Sequence, residues 1–160
     1  MSERYGRKIA FIQPGMDRLE ECKRVFENSA LYDWYFKDTN FLEEWLKGAL
    51  EEGKVVAAVT SDGVIAGLMI CQMKGMFAEL PYLALLGVRD SCRGQGIGSR
   101  LLDVYADICR QAGYDKCFMC VSHFNPRAKA LYQRKGFKPL ALIPDMMKAG
   151  IDEWVLMKRL

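Results

Sequence analysis

The chain has 160 residues, 51% hydrophobic and 27% charged, with a net charge of +3. That length suggests a single domain over residues 1–160, large enough to bury a core without disulfides or metal. Mild charge with no dense Lys/Arg block argues against a nucleic-acid partner, and no apolar run approaches the ~20 residues of a membrane helix. The opening Met1–Gly6 has no apolar signal core, so a cytoplasmic protein is expected.

In chain order, Lys8 to Gln13 reads as a short strand closed by Pro14-Gly15. Asp17 to Asn28 reads as a helix with Leu19, Cys22, Val25 and Phe26 on one face. The segment Leu31-Tyr32-Asp33-Trp34-Tyr35-Phe36-Lys37-Asp38 is dense in aromatics and carries two acids. It suits either a cationic amine or an aromatic joint between helices. Thr39 or Asn40 can cap a second helix, whose apolar face is Phe41, Leu42, Trp45, Leu46, Ala49 and Leu50, and Gly53 ends it. Val55 to Val59 and Val64 to Cys71 are strands joined by a Ser61-Asp62-Gly63 hairpin signal. Met73 to Pro81 reads as a loop or a strand extension.

Tyr82 to Val88 is an apolar strand expected to be covered on both faces. A glycine-rich passage then opens a helix that runs to about Ala112, with Gly113 as its stop. Lys116 to Val121 reads as a buried strand. Asn125-Pro126 supplies an N-cap and a first-turn proline for another helix, ended by Gly136. Phe137 to Ile143 and Glu153 to Met157 are the final strands. The tight hairpin must be antiparallel, and the strand–helix–strand unit from Tyr82 to Val121 must be parallel. The expected fold is α/β: a mixed, mostly antiparallel central sheet with helices on both faces, binding ligands where strands diverge.

The glycine passage is Arg93-Gly94-Gln95-Gly96-Ile97-Gly98-Ser99. Glycines let a backbone approach a ligand, and a helix start presents unpaired N–H groups at its positive end. Such a turn suits a phosphate or pyrophosphate. A P-loop would need Gly-Lys-Ser/Thr, but Gly98 is followed by Ser99-Arg100. The dinucleotide fingerprint would need a third glycine where Ser99 stands, and it belongs to a first β-α unit. A glycine-rich turn with no ligand is the plain alternative. R-x-x-G-x-G, formed by Arg93, Gly96 and Gly98, is the remaining pattern.

The six cysteines, Cys22, Cys71, Cys92, Cys109, Cys117 and Cys120, are expected to be reduced. Cys117 and Cys120 spell C-x-x-C, but residues three apart on a strand face opposite sides. There is no second pair, and His123 is the one histidine, so no metal site is expected.

R-x-x-G-x-G resembles the acetyl-CoA pyrophosphate loop of the GNAT superfamily of N-acetyltransferases. Asn125-x-x-Ala128-x-x-Leu131-Tyr132-x-x-x-Gly136-Phe137 resembles the C-terminal signature of the same superfamily, in the expected place. The resemblance covers roughly residues 65 to 160 and implies acetyl-CoA as co-substrate. It implies that the strand before the loop splays from its parallel neighbour and that the pantetheine arm lies in the gap, against Leu86, Gly87 and Val88. Amides of Arg93, Gly94, Gln95, Gly96, Ile97, Gly98 and Ser99 would receive the pyrophosphate, and Asn125 would reach the cofactor's amide region. Arg93, Arg100 and Arg127 are candidates for the outer phosphates or, alternatively, a solvated basic face.

The implied reaction is direct acetyl transfer to an amine, with the Val88 N–H stabilising the oxyanion and Tyr132 as general acid at the cofactor. The family's carboxylate or histidine positions fall here on Tyr82 and Ala84. The glutamate of ribosomal-protein N-terminal acetyltransferases falls on Cys120, which argues against that protein-directed group. Glu79, just upstream of the strand, is the candidate base, with a solvated loop glutamate as its plain reading. The expected acceptor is a small-molecule primary amine. A protein lysine or N-terminus, or a non-catalytic acyl-CoA sensor, is the alternative, and a homodimer stays open.

Overall fold

In the computed structural model, which describes residues 8–160, seven strands form one sheet: β1 (Ile9–Ile12), β2 (Val55–Thr60), β3 (Ile65–Met76), β4 (Leu80–Val88), β5 (Lys116–Ser122), β6 (Lys138–Lys148) and β7 (Ile151–Arg159). Their spatial order is β1-β2-β3-β4-β5-β7-β6, and every neighbouring pair is antiparallel except β4 and β5. The expected mixed α/β sheet is therefore present. The reading of Met1–Gly6 lies outside the described residues. Among those residues no helix is long and apolar enough to cross a membrane.

Helices α1 (Leu19–Arg24) and α2 (Phe41–Glu51) cover one face. There Cys22, Phe26, Leu42 and Leu46 pack with Ala57, Leu68 and Leu85. Helices α3 (Ile97–Gln111) and α4 (Pro126–Arg134) cover the other, where Leu101, Tyr105 and Tyr132 pack with Met69, Leu83 and Val121. Leu83 and Leu85 have the same parity yet serve opposite cores. The register explains this: Ile70 pairs with Leu85 but Cys71 pairs with Leu83, leaving Ala84 as the extra residue of a bulge.

Two expectations, the extents of the first helix and of β6, change in detail, and two segments left open gain a definite form. The first helix is shorter than Asp17 to Asn28: a 3-10 turn at Met16–Arg18 leads into α1, which stops at Arg24. Ser29 Oγ donates to the Phe26 carbonyl (2.6 Å) and Asn28 has φ +55°, so the chain turns off the helix axis there. The aromatic segment forms a wide helical turn over Tyr32–Phe36, closed by Lys37 N–H donating to the Tyr32 carbonyl (2.9 Å). Met73 to Pro81 is mostly strand: β3 runs to Met76 and turns through Phe77 and Ala78, both at positive φ, into β4. β6 extends past Ile143 to Lys148 as an edge strand with Leu140, Leu142 and Met147 exposed, so its sequence carries little alternation. Cys117 lies in the core and Cys120 faces a cavity, on opposite sides of β5 as strand geometry requires.

Candidate active site

The parallel pairing of β4 with β5 covers only Tyr82–Phe118 and Leu83–Met119; beyond these the strands separate. The Arg89 N–H donates to the Ala66 carbonyl (2.7 Å), so those residues form a hydrogen-bonded antiparallel pair. Alternation then makes Val88–Gly67 and Leu86–Met69 non-hydrogen-bonded pairs. The main-chain N–H and C=O groups of Leu86 and Val88 therefore turn away from β3, toward the gap. Gly87 between them has a different task. A Cβ there would lie 2.4 Å from the Phe26 ring, so its missing side chain is what lets the turn after α1 sit on β4.

At the C-terminal end of β4 the chain makes a 3-10 turn over Asp90–Cys92 and enters α3. Gly94 and Gly96 have φ +75° and +78°, with open space where a Cβ would stand. Gly96 caps α3 in the left-handed conformation, without a side-chain hydrogen bond and with no acid in the first turn. The helix thus presents its first amides and positive dipole end uncompensated. The Arg93 side chain turns inward: its guanidinium donates to the carbonyls of Asn28 (2.9 Å), Glu27 (3.3 Å) and Val88 (3.3 Å) and pairs with Asp90 (3.0 Å). It fixes the loop to the chain leaving α1. Arg100 lies over the Phe11 ring, and Arg127 is exposed on α4.

A cavity of about 600 Å³ occupies the β4–β5 gap and continues toward α2 and the aromatic turn. Of the sequence-predicted site residues, Leu86, Asn125 and Tyr132 line it; Gly87, Val88 and Arg93 to Ser99 lie outside its lining. The Asn125 Oδ1 accepts from the Ala128 N–H (3.3 Å), capping α4 and setting the direction in which Tyr132 is carried. Tyr132 is buried, and among the described residues its hydroxyl makes no hydrogen bond. Burial, and then the nearby Glu153 carboxylate, push its pKa above the ordinary phenol range, so it holds its proton.

Glu79 does not reach this cavity. It is exposed at the β3–β4 hairpin tip, where its N–H donates to the Met76 carbonyl (3.1 Å). The carboxylate in the lining is Glu153 of β7, only 5% exposed. Tyr35 Oη donates to Glu153 Oε1 (2.5 Å), and the Ser122 hydroxyl donates to the same oxygen. Oε2 takes no hydrogen bond from the described residues, and no described cation pairs with the group. Tyr82 lies against Cys120 beside this cluster; burial raises both groups. Sequence reasoning missed Glu153, although it shares strand parity with Ile151 and Val155 and so faced inward if they did.

A protonated phenol, Tyr132, and a buried carboxyl group, Glu153, thus stand in one cavity, next to main-chain groups that no neighbouring strand claims. A family model described as acetyltransferase (GNAT) family matches residues 16–137. A mycothiol acetyltransferase of Beutenbergia cavernae is 36% identical over 84 residues, 52% of this chain but 28% of that protein, so the match spans less than a third of that relative. A crystal structure of the GNAT family from Desulfovibrio desulfuricans superposes with TM-score 0.80 at 20% identity, covering 95% of this chain and 99% of the other. That of Ard1 from Thermoplasma volcanium gives 0.77 at 18% identity, covering 95% and 97%.

Proposed function

Because the chain belongs to the acetyltransferase (GNAT) family, we propose that it moves an acetyl group from acetyl-CoA to the primary amine of a small molecule. The observation that carries this reading is the meeting of Tyr132 and Glu153 in the cavity opened by the β4–β5 splay. The partial likeness to a mycothiol acetyltransferase supports the small-molecule class.

Acetyl-CoA, when bound, supplies the activated acyl group. The chain's own residues fit it. The main-chain groups of Leu86 and the N–H of Val88, which β3 leaves free, suit a pantetheine arm, and the open turn at Gly94 and Gly96 leaves room for a pyrophosphate against the start of α3. Arg93 contributes its backbone amide and, through its side chain, the position of the loop. The Val88 N–H is the donor available to a carbonyl oxygen in the gap. Tyr132 Oη holds the proton that a departing sulfur needs. Glu153 Oε2 is placed to take the proton of an acceptor ammonium, with Tyr35 and Ser122 holding Oε1. Glu79, two residues from the cavity-lining Phe77, is left to act on the charge at the mouth.

The test is a panel of primary amines with a free-thiol readout. Amine-stimulated CoA release with acetylated amine as product is the expected result. CoA binding with no stimulation by any amine would make this chain an acyl-CoA sensor instead.

A further inference from the structure

We propose that the acceptor is a monoamine carried on an apolar, ring-sized body, its ammonium on Glu153 and its body against the Phe36–Phe41–Trp45 wall. This rests on the acetyltransferase reading for which end reacts, but the binding argument stands on the cavity itself.

Charge is the first argument. Among the described residues Glu153 is the single charged side chain in the lining. It is 95% buried, counting from its 5% exposure, and lacks a paired cation. A buried carboxylate without a counter-ion is costly even when hydroxyls satisfy one oxygen. A ligand that brings one positive charge to Oε2 removes that cost. A second ammonium would have no acid to meet, which disfavours polyamines. A carboxylate or phosphate on the acceptor would find no Lys, Arg or His in the lining, which disfavours amino acids.

Shape and polarity are the second. Phe36 and Phe41 have ring centroids 5.8 Å apart, Phe41 and Trp45 are stacked at 5.3 Å, and Phe36 and Trp45 are 6.4 Å apart. These three rings form one apolar surface. It is continuous with Tyr35, whose ring lies 6.4 Å from Phe36 and whose hydroxyl holds Glu153. Met146 and Met147 of β6 also line the cavity; their unbranched side chains adapt to rings. A sugar amine would bury hydroxyls against this surface with few partners.

The experiment is calorimetry on the CoA-saturated 160-residue chain with phenethylamine, 2-phenylethanol, 3-phenylpropionate, spermidine and glucosamine. Phenethylamine should bind at least ~10-fold tighter than each of the others. Glu153→Gln should erase the preference for amine over alcohol, whereas Trp45→Ala should weaken both alike. Tighter binding of spermidine or glucosamine, no binding of phenethylamine, or an amine preference that survives Glu153→Gln overturns the proposal. The wild-type ligand ranking decides the matter if Glu153→Gln does not fold. Thiol release on the same samples separates the two readings: selective amine binding without acetyl transfer sinks the enzyme, and acetylation of hydroxylated or polycationic amines alone sinks the acceptor class.

Discussion

Ser122 and Glu153 face each other across the paired strands β5 and β7, and the serine hydroxyl donates to the glutamate carboxylate. A buried acid is thereby held from the strand beside it, while Tyr35 reaches the same oxygen from the opposite layer. The position of this carboxylate depends on three segments far apart in the chain.

Replacing Glu153 by Gln removes the proposed proton acceptor while keeping its shape. Turnover should fall by roughly 10²-fold at neutral pH and recover in part as pH rises, because more of the amine is then already neutral. Glu79→Gln should change kcat by less than about threefold, with any effect confined to KM. Full pH–rate profiles of both variants check this; a flat profile for Glu153→Gln beside a depressed, pH-rescued Glu79→Gln would reverse the assignment.

Tyr132→Phe should keep CoA affinity and lose roughly 10²- to 10⁴-fold in turnover, the range of an acid–base group. Single-turnover kinetics beside CoA calorimetry read the two quantities separately. A loss below threefold would leave Tyr132 with the packing it makes against Val121 and the α3 side of the core.

Much of this half of the site was legible because it is local. Asn125 caps the helix that carries Tyr132, seven residues apart, and the glycine turn follows its strand directly. Glu153 was hidden because its partner Tyr35 lies 118 residues away on a helical turn, and its partner Ser122 meets it only because β7 is inserted between β5 and β6. The antiparallel hairpin and the parallel crossover were readable. The length of β6 was not, since an edge strand exposed along most of its residues imposes no alternation.

Gly96→Asp should abolish CoA binding with little loss of fold. Its φ of +78° is a conformation Asp tolerates better than most residues, and no atom lies within 4 Å of the added Cβ, so the added charge is the main change. Calorimetry with CoA and a melting curve check the two halves. Unchanged CoA affinity would remove the glycine turn from the cofactor site.

Gly87→Ala should destabilise the protein by about 1–3 kcal/mol, because its Cβ would stand 2.4 Å from the Phe26 ring. Phe26→Leu in the same chain should recover part of that loss, although alone it costs stability too. Denaturant melts of the four combinations measure the coupling; strict additivity would mean that the Phe26 ring is not what excludes a side chain.

Burial pushes the Cys22 thiol up to about 11 and the Cys71 thiol up to about 12. Unfolded thiols titrate near ~8.5. The native state therefore keeps these protons to higher pH than the unfolded chain, and stability should fall as pH rises from ~8.5 toward 11–12. Both thiols should also resist alkylation at pH 8 until denaturant is added. Melting temperatures at pH 7 and 10, and labelling mapped by mass spectrometry, test this; rapid native labelling of Cys22 would contradict its burial.

The Arg93 guanidinium grips the carbonyls of Glu27 and Asn28, just before the segment that carries Tyr35 and the aromatic wall. The segment proposed to choose the acceptor thus follows directly on the bracket that steadies the glycine turn. Grafting a foreign N-terminal segment to change specificity would put that bracket at stake together with the pocket. A working chimera has to join after Asn28, keeping the native Glu27-Asn28 corner, or the imported acceptor site will arrive with a loosened donor site.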